Sequence, residues 1–115
     1  MSVISARRRS TLRRGPYLAR AVVQLLSWPA LEVRDNRRGI AFTVQGIEIL
    51  RLTGADEARL RLTEPAIERL EPELGDCDQV QLCADHAWVT LKVEAEPDLD
   101  LLLALTSVAI KAHAA

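Results

Sequence analysis

The chain has 115 residues and a mass of 12.8 kDa, and its 15 basic and 16 acidic residues leave a formal net charge of −1. Hydrophobic residues make up 49% and charged residues 27%, which is typical of a soluble globular protein and excludes a chain that is disordered throughout. This length supports one domain, and the longest nearly apolar run, Leu101 to Ile110, is too short to cross a membrane.

The cysteine content indicates a reducing compartment. Two cysteines are too few for a small disulfide-stabilised secreted protein, and the first residues lack the apolar run of a signal peptide. We therefore expect a cytoplasmic protein. Cys77, Cys83 and His86 come nearest to a metal site, but zinc sites usually take two thiolates from one tight turn, whereas a predicted strand separates these cysteines. We expect neither a metal ion nor another cofactor.

Charge is distributed unevenly along the chain. Residues 1–38 hold nine arginines against two acids, a net charge of +7, whereas residues 39–115 carry a net charge of −8. We expect residues 1–14 to form a flexible arm that is dispensable for folding. The arm is a solubilising tail, a weak polyanion-binding element, or a segment that lies on the acidic part of its own chain or of a partner. Its arginines are Arg7, Arg8, Arg9, Arg13 and Arg14.

From residue 15 onward, the hydrophobic pattern alternates between the periods of helices and strands. Pro16 suits the first turn of a helix, and Trp28-Pro29 ends that helix because the residue before a proline disfavours the α conformation. Apolar residues at helical spacing predict three helices, at 16–27, 64–74 and 97–113. Shorter alternating stretches predict strands at 31–34, 40–44, 47–52, 57–62, 79–83 and 88–94.

This order of elements predicts the fold class. Connections of hairpin length require antiparallel pairing, and the intervening helices should cover one face of the sheet. We predict an α+β two-layer sandwich in one domain, residues 15–115, with an antiparallel sheet of five to six strands and helices on one face. The side chains expected to face the helices are Leu60, Leu62, Val80, Leu82, Val89 and Leu91.

The last predicted helix has two apolar faces, one more than a helix that only covers a sheet needs. The second face contains Leu101, Leu105 and Val108. Either the first helix covers this face within the chain, or a second copy covers it in a symmetric homodimer, because a large exposed apolar patch is unusual on a monomer.

Three segments carry a resemblance that extends over roughly residues 20–113. Gly46-Ile47-Glu48-Ile49, Ala87-Trp88-Val89 and the closing leucine-rich helix resemble the bacterial luciferase-domain family of small, mostly uncharacterised proteins, which are distantly similar to fungal luciferases. The order of elements is more loosely similar to that of the MmcQ/YjbR-like double-wing domains. Members of the luciferase-domain family commonly carry a His-x-His pair where this chain has Arg51-Leu52-Thr53. If those histidines bind a metal or transfer protons in other members, this chain has lost both groups.

The residue types on these segments favour binding rather than catalysis. Trp88 matches a tryptophan of the family and is either a core or rim residue or a platform for a ligand. Arg51 is the cationic candidate, and His86, in a turn between two strands, either titrates near neutral pH at a site or is simply solvated. No catalytic residue is predicted, because nucleophilic catalysis needs a nucleophile beside an oriented base.

Glu48 completes the set of candidate ligand-binding residues. In a regular strand its carboxylate lies on the same face as the side chains of Leu50 and Leu52. It either pairs with Arg59 or Arg61 across the sheet or lines a pocket with Arg51.

Two functions from different classes follow. A non-enzymatic module that binds a small molecule or another protein is favoured, because the family's histidines are missing. The alternative that the resemblance implies is a cofactor-independent oxygenase or luciferase-like enzyme acting on a small aromatic molecule.

Overall fold

In a computed structural model, residues 15–36, 39–74, 78–82 and 87–113 are described, and they form three helices and six strands. The predicted basic arm and the candidate residues Cys77, Cys83 and His86 lie outside the described residues. The elements are α1 (Pro16–Leu26), β1 (Glu32–Asn36), β2 (Gly39–Val44), β3 (Ile47–Leu52), β4 (Glu57–Arg61), α2 (Glu64–Leu74), β5 (Val80–Leu82), β6 (Trp88–Lys92) and α3 (Glu96–His113).

The six strands form one antiparallel sheet in the order β1-β2-β3-β4-β6-β5. The first four strands follow one another as hairpins, and α2 then carries the chain to the edge strand β5, which returns to pair with β6. Helix α3 packs across β3, β4 and β6, and α1 packs against α3, so the helices form a second layer. The predicted α+β class with an antiparallel sheet is confirmed.

The core lies between the sheet and this helical layer. Ala58 and Leu60 of β4 pair with Leu91 and Val89 of β6, and all four side chains are fully buried. The opposite side chains of both strands are polar or aromatic, which is the alternation that a half-buried strand requires. The face of the sheet that points away from the helices is called the outer face below.

Helix α3 buries more of its surface than one contact with a sheet would require. Leu105, which is 4% exposed, belongs to the same core as Leu18 and Leu25 of α1. Helix α1 therefore covers part of the second apolar face, while Leu101 and Val108 stay half-buried. The homodimer through these residues stays a prediction.

An exposed ion pair ties α1 to the start of α3. Arg20 donates from Nη1 and Nη2 to the two carboxylate oxygens of Glu96, both at 2.8 Å, and its guanidinium lies 5.8 Å from the ring centre of Tyr17.

Helix α2 begins after a side-chain cap and continues past a proline. Thr63 Oγ1 accepts a hydrogen bond from the backbone N–H of Ala66 at 3.3 Å, as expected of an N-cap. The helix runs two residues beyond Pro72, although a proline inside a helix removes a backbone hydrogen bond and favours a kink. None of the helices in the described part of the chain has the length and apolar character needed to span a membrane.

Candidate functional site

A bulge in β3 brings Glu48 and Arg51 to the same face of the sheet. On β2, Phe42 lies opposite Leu50 and Thr43 lies opposite Glu48, so Ile49 is an extra residue without a direct partner. Residues three apart in a regular strand point to opposite faces, and one extra residue reverses that relation. The expectation that Glu48 shares a face with the leucines after it is therefore wrong, since the pattern assumed a regular strand.

Glu48 and Arg51 form a bidentate ion pair on this outer face. Arg51 donates from Nε to Glu48 Oε2 at 2.6 Å and from Nη2 to Glu48 Oε1 at 2.7 Å. The hydrogen bonds from Arg51 are the main cause of a lowered pKa at Glu48, and those same bonds raise the pKa of Arg51. Glu48 is therefore a fixed carboxylate at neutral pH, and its hydrogen-bonded partner is Arg51 rather than Arg59 or Arg61.

Two further arginines surround the same carboxylate. Neighbouring positions across the sheet run from Arg34 of β1 through Ala41 and Arg51 to Arg59 of β4. The positive charges of Arg34 and Arg59 also lower the pKa of Glu48. Among the described residues, the three guanidinium groups of Arg34, Arg51 and Arg59 thus share one part of the outer face with Glu48 and with Glu32, which lies opposite Thr43. Positive charge exceeds negative charge among these five side chains.

The indole ring of Trp88 adjoins this cationic cluster. The Arg59 guanidinium lies 5.4 Å from the ring centre of Trp88, within cation–π range. Trp88 is opposite Arg61 in the β4–β6 ladder and is half-buried, so its ring belongs to the outer face and not to the core beneath the helices.

Two buried polar atoms on this face lack hydrogen-bond partners. Among the described residues, Thr43 Oγ1 and Arg51 Nη1 are the buried side-chain atoms left unsatisfied. Thr43 is 2% exposed and lies opposite Glu48, so both atoms belong to residues that flank the same carboxylate. Buried polar groups without partners cost stability, and an acceptor oxygen would satisfy both atoms, since a hydroxyl and a guanidinium each donate.

The structure brings together three of the four predicted site residues, Glu48, Arg51 and Trp88, while His86 lies outside the described residues. Sequence reasoning missed Arg34 and Thr43. No local pattern marks either residue, because both join the site only through the order and register of the strands.

Acid–base and metal-binding groups are sparse in the described part of the chain. The only histidine there is His113, whose Nδ1 lies 2.9 Å from the carbonyl oxygen of Ala109 at the end of α3. Within residues 15–36, 39–74, 78–82 and 87–113, no three histidine, cysteine, aspartate or glutamate side chains are arranged to hold a metal ion.

A family model described as the Luciferase domain matches residues 46–109, more than half of the chain. The match begins at the turn between β2 and β3 and extends into α3, so it includes Glu48, Arg51, Arg59 and Trp88. The chain has no match among curated proteins or among solved structures.

Proposed function

The chain belongs to the luciferase-domain family, and from this and the outer face we propose that it is a non-enzymatic binding module for a small aromatic acid. The observation that carries the proposal is the cluster of Arg34, Arg51 and Arg59 around Glu48, next to the ring of Trp88. This cluster offers net positive charge and a flat apolar surface within one part of the sheet.

The polar end of such a ligand matches the unsatisfied atoms. A carboxylate supplies acceptor oxygens, and Arg51 Nη1 and Thr43 Oγ1 are donors that lack an acceptor. Both atoms are buried, so a carboxylate reaches them only when the side chains that cover them move aside. The bidentate hold of Glu48 fixes the Arg51 guanidinium plane, so less side-chain entropy is lost when a ligand binds. The carboxylate of the ligand gains charge-assisted hydrogen bonds, which are stronger than neutral ones.

The aromatic end matches the pair formed by Arg59 and Trp88. Guanidinium planes and indole rings both stack on flat rings, and both are parts of residues that anchor ligands at binding sites. An aliphatic acid of the same size would keep the carboxylate contacts and lose this stacking. We therefore expect aromatic acids to bind more tightly than aliphatic ones.

Binding is favoured over acid–base catalysis because of the state of Glu48. Its lowered pKa keeps it ionised at neutral pH, so it is a poor proton donor, and the two hydrogen bonds from Arg51 weaken it as a base. The alternative, an oxygenase-like enzyme acting on a small aromatic molecule, would use the same face of the sheet.

Calorimetric titration with naphthoate tests the proposal, with the uncharged naphthamide as the matched ligand. We expect saturable binding of naphthoate that weakens about tenfold or more in Arg51→Gln and in Trp88→Leu. Arg69→Gln removes an exposed arginine from α2, and Trp28→Phe alters the other tryptophan, so both controls should bind as the wild type does. Equal binding of naphthamide, or equal losses in the controls, would contradict the proposal.

Recovery of the ligand separates the two functions. After prolonged incubation of naphthoate with the protein in air, a binding module returns it unchanged by mass spectrometry. A protein-dependent oxidised product that is absent in Arg51→Gln would instead establish the enzyme.

A further inference from the structure

We propose that the free edge of β1 pairs with β1 of a second copy of this chain, so that the two sheets join into one antiparallel sheet. Within the part of the chain that the structure describes, β1 is the outermost strand on its side of the sheet, and its residues 32–35 are all exposed. An edge strand presents unpaired backbone N–H and C=O groups that pair readily with another strand. This proposal does not depend on the proposed function.

Symmetry limits how two copies of β1 can pair. Along a strand, the backbone groups of successive residues point alternately to the left and right neighbours. Two residues can therefore lie opposite each other in a new ladder only if their backbone groups both point toward that ladder or both point away from it. In an antiparallel pair with twofold symmetry, this condition places the symmetry axis beside one residue of β1. That residue then lies opposite the same residue of the second copy.

Charge then selects one position of the axis. An axis at Glu32, Arg34 or Asp35 places two identical charges directly opposite each other, which destabilises a strand pair. An axis at Asn36, the last residue of β1, would leave most of β1 without a strand opposite it. An axis at Val33 places Val33 opposite the partner's Val33, Glu32 opposite the partner's Arg34, and Arg34 opposite the partner's Glu32. This register has two cross-strand ion pairs and no directly opposed like charges.

The same register uses the exposed apolar side chain of the strand. Val33 lies opposite Phe42, so it is on the helix side of the sheet, yet it remains 46% exposed. Pairing at Val33 brings two such side chains together and removes them from water. Glu32 and Arg34 lie on the outer face, because they are opposite Thr43 and Ala41.

Sedimentation equilibrium from micromolar to millimolar concentration tests this interface in the full-length chain, with circular dichroism to check folding. The wild type is expected to dimerise. Glu32→Arg and Arg34→Glu should each weaken dimerisation about tenfold or more, because each places like charges opposite each other at two positions. The double variant Glu32→Arg/Arg34→Glu should dimerise as the wild type does, since both pairs are restored with reversed sign.

Mixing the two single variants provides an independent readout. One copy then presents two arginines and the other two glutamates at these positions, so a heterodimer should form from two weakly associating proteins. Asp35→Lys is the matched control for Glu32→Arg, because it makes the same change of charge on the same strand. In this register position 35 lies opposite the uncharged Leu31.

Three outcomes overturn the inference. The first is a wild type that is monomeric at all concentrations. The second is a wild-type dimer that the reversals and Asp35→Lys weaken equally, without recovery in the double variant or the mixture. The third is a dimer that the reversals leave intact and that Leu101→Glu with Val108→Glu dissolves, which would place the interface on α3.

Discussion

The ion pair between Glu48 and Arg51 should stabilise the fold by a measurable amount. Exposed ion pairs contribute little, whereas hydrogen bonds to charged groups in buried settings contribute about 1.5–3 kcal/mol. The side chains of Arg51 and Glu48 are 19% and 32% exposed and share two hydrogen bonds, so the pair lies between these limits. We expect an interaction free energy of about 1–2 kcal/mol.

A double-mutant cycle of Glu48→Gln, Arg51→Gln and the double variant, measured by urea unfolding, isolates this interaction from other effects of each substitution. The matched control is the same cycle on Arg20 and Glu96, which form the same bidentate geometry with side chains 51% and 55% exposed. We expect a smaller interaction in the control because solvent screens it. An interaction of Glu48 and Arg51 no larger than the control would refute the reasoning.

The interaction should also depend on pH with a defined sign. Because the pKa of Glu48 is lowered in the folded state, the pair contributes fully above the ordinary pKa of glutamate, about 4.3. The contribution is lost as the pH falls through the lowered pKa of the folded protein. The difference in stability between the wild type and Glu48→Gln should therefore be largest at neutral pH and vanish in strong acid. A difference that grows on acidification would contradict the lowered pKa.

Four further substitutions test the fold by urea unfolding. Gly39→Ala should destabilise by about 3 kcal/mol and Gly46→Ala by about 1 kcal/mol. Both glycines have positive φ, so alanine is strained at either position. A Cβ at Gly39 would also lie 2.6 Å from the carbonyl oxygen of Leu52, whereas a Cβ at Gly46 would face open space. Equal losses of stability in the two variants would contradict the structure. Leu60→Ala should cost about 2–5 kcal/mol because Leu60 is fully buried, and a loss below 1 kcal/mol would count against the core. Asp98→Ala should lower the free energy of unfolding by about 1–2 kcal/mol, because Asp98 Oδ2 accepts hydrogen bonds from Gln79 Nε2 at 2.8 Å and from the Glu94 N–H at 3.0 Å. An unchanged stability would show that neither bond stabilises the fold.

Sequence patterns predicted which side chains face the core wherever the strands are regular. In β4 and β6 the alternation of period two assigns Leu60, Val89 and Leu91 to the buried face, and it continues to Leu62 directly after β4, as the structure shows. Val80 is half-buried, and the side chain of Leu82 lies outside the described residues. A repeating pattern is enough for such positions, because successive residues of a strand point to opposite faces.

The candidate site depended on features that no local pattern contains. The bulge at Ile49 reverses the face of Glu48, and the residues of β3 give no sign of it because either face offers apolar neighbours. Arg34 and Arg59 reach Glu48 only because β1 and β4 flank β2 and β3 in the sheet. The pattern of α3 likewise predicted two apolar faces without showing that α1 packs against them.

Binding of an aromatic acid on the outer face is tested most directly by nuclear magnetic resonance of the isotope-labelled protein during titration with naphthoate. We predict saturable shifts of the Arg51 Nε–H and Trp88 indole N–H signals, together with backbone amides of β3, β4 and β6. The amides of α1, on the other side of the sheet, should stay unchanged. Shifts centred on the helices, or no saturable shift at millimolar naphthoate, would contradict the account.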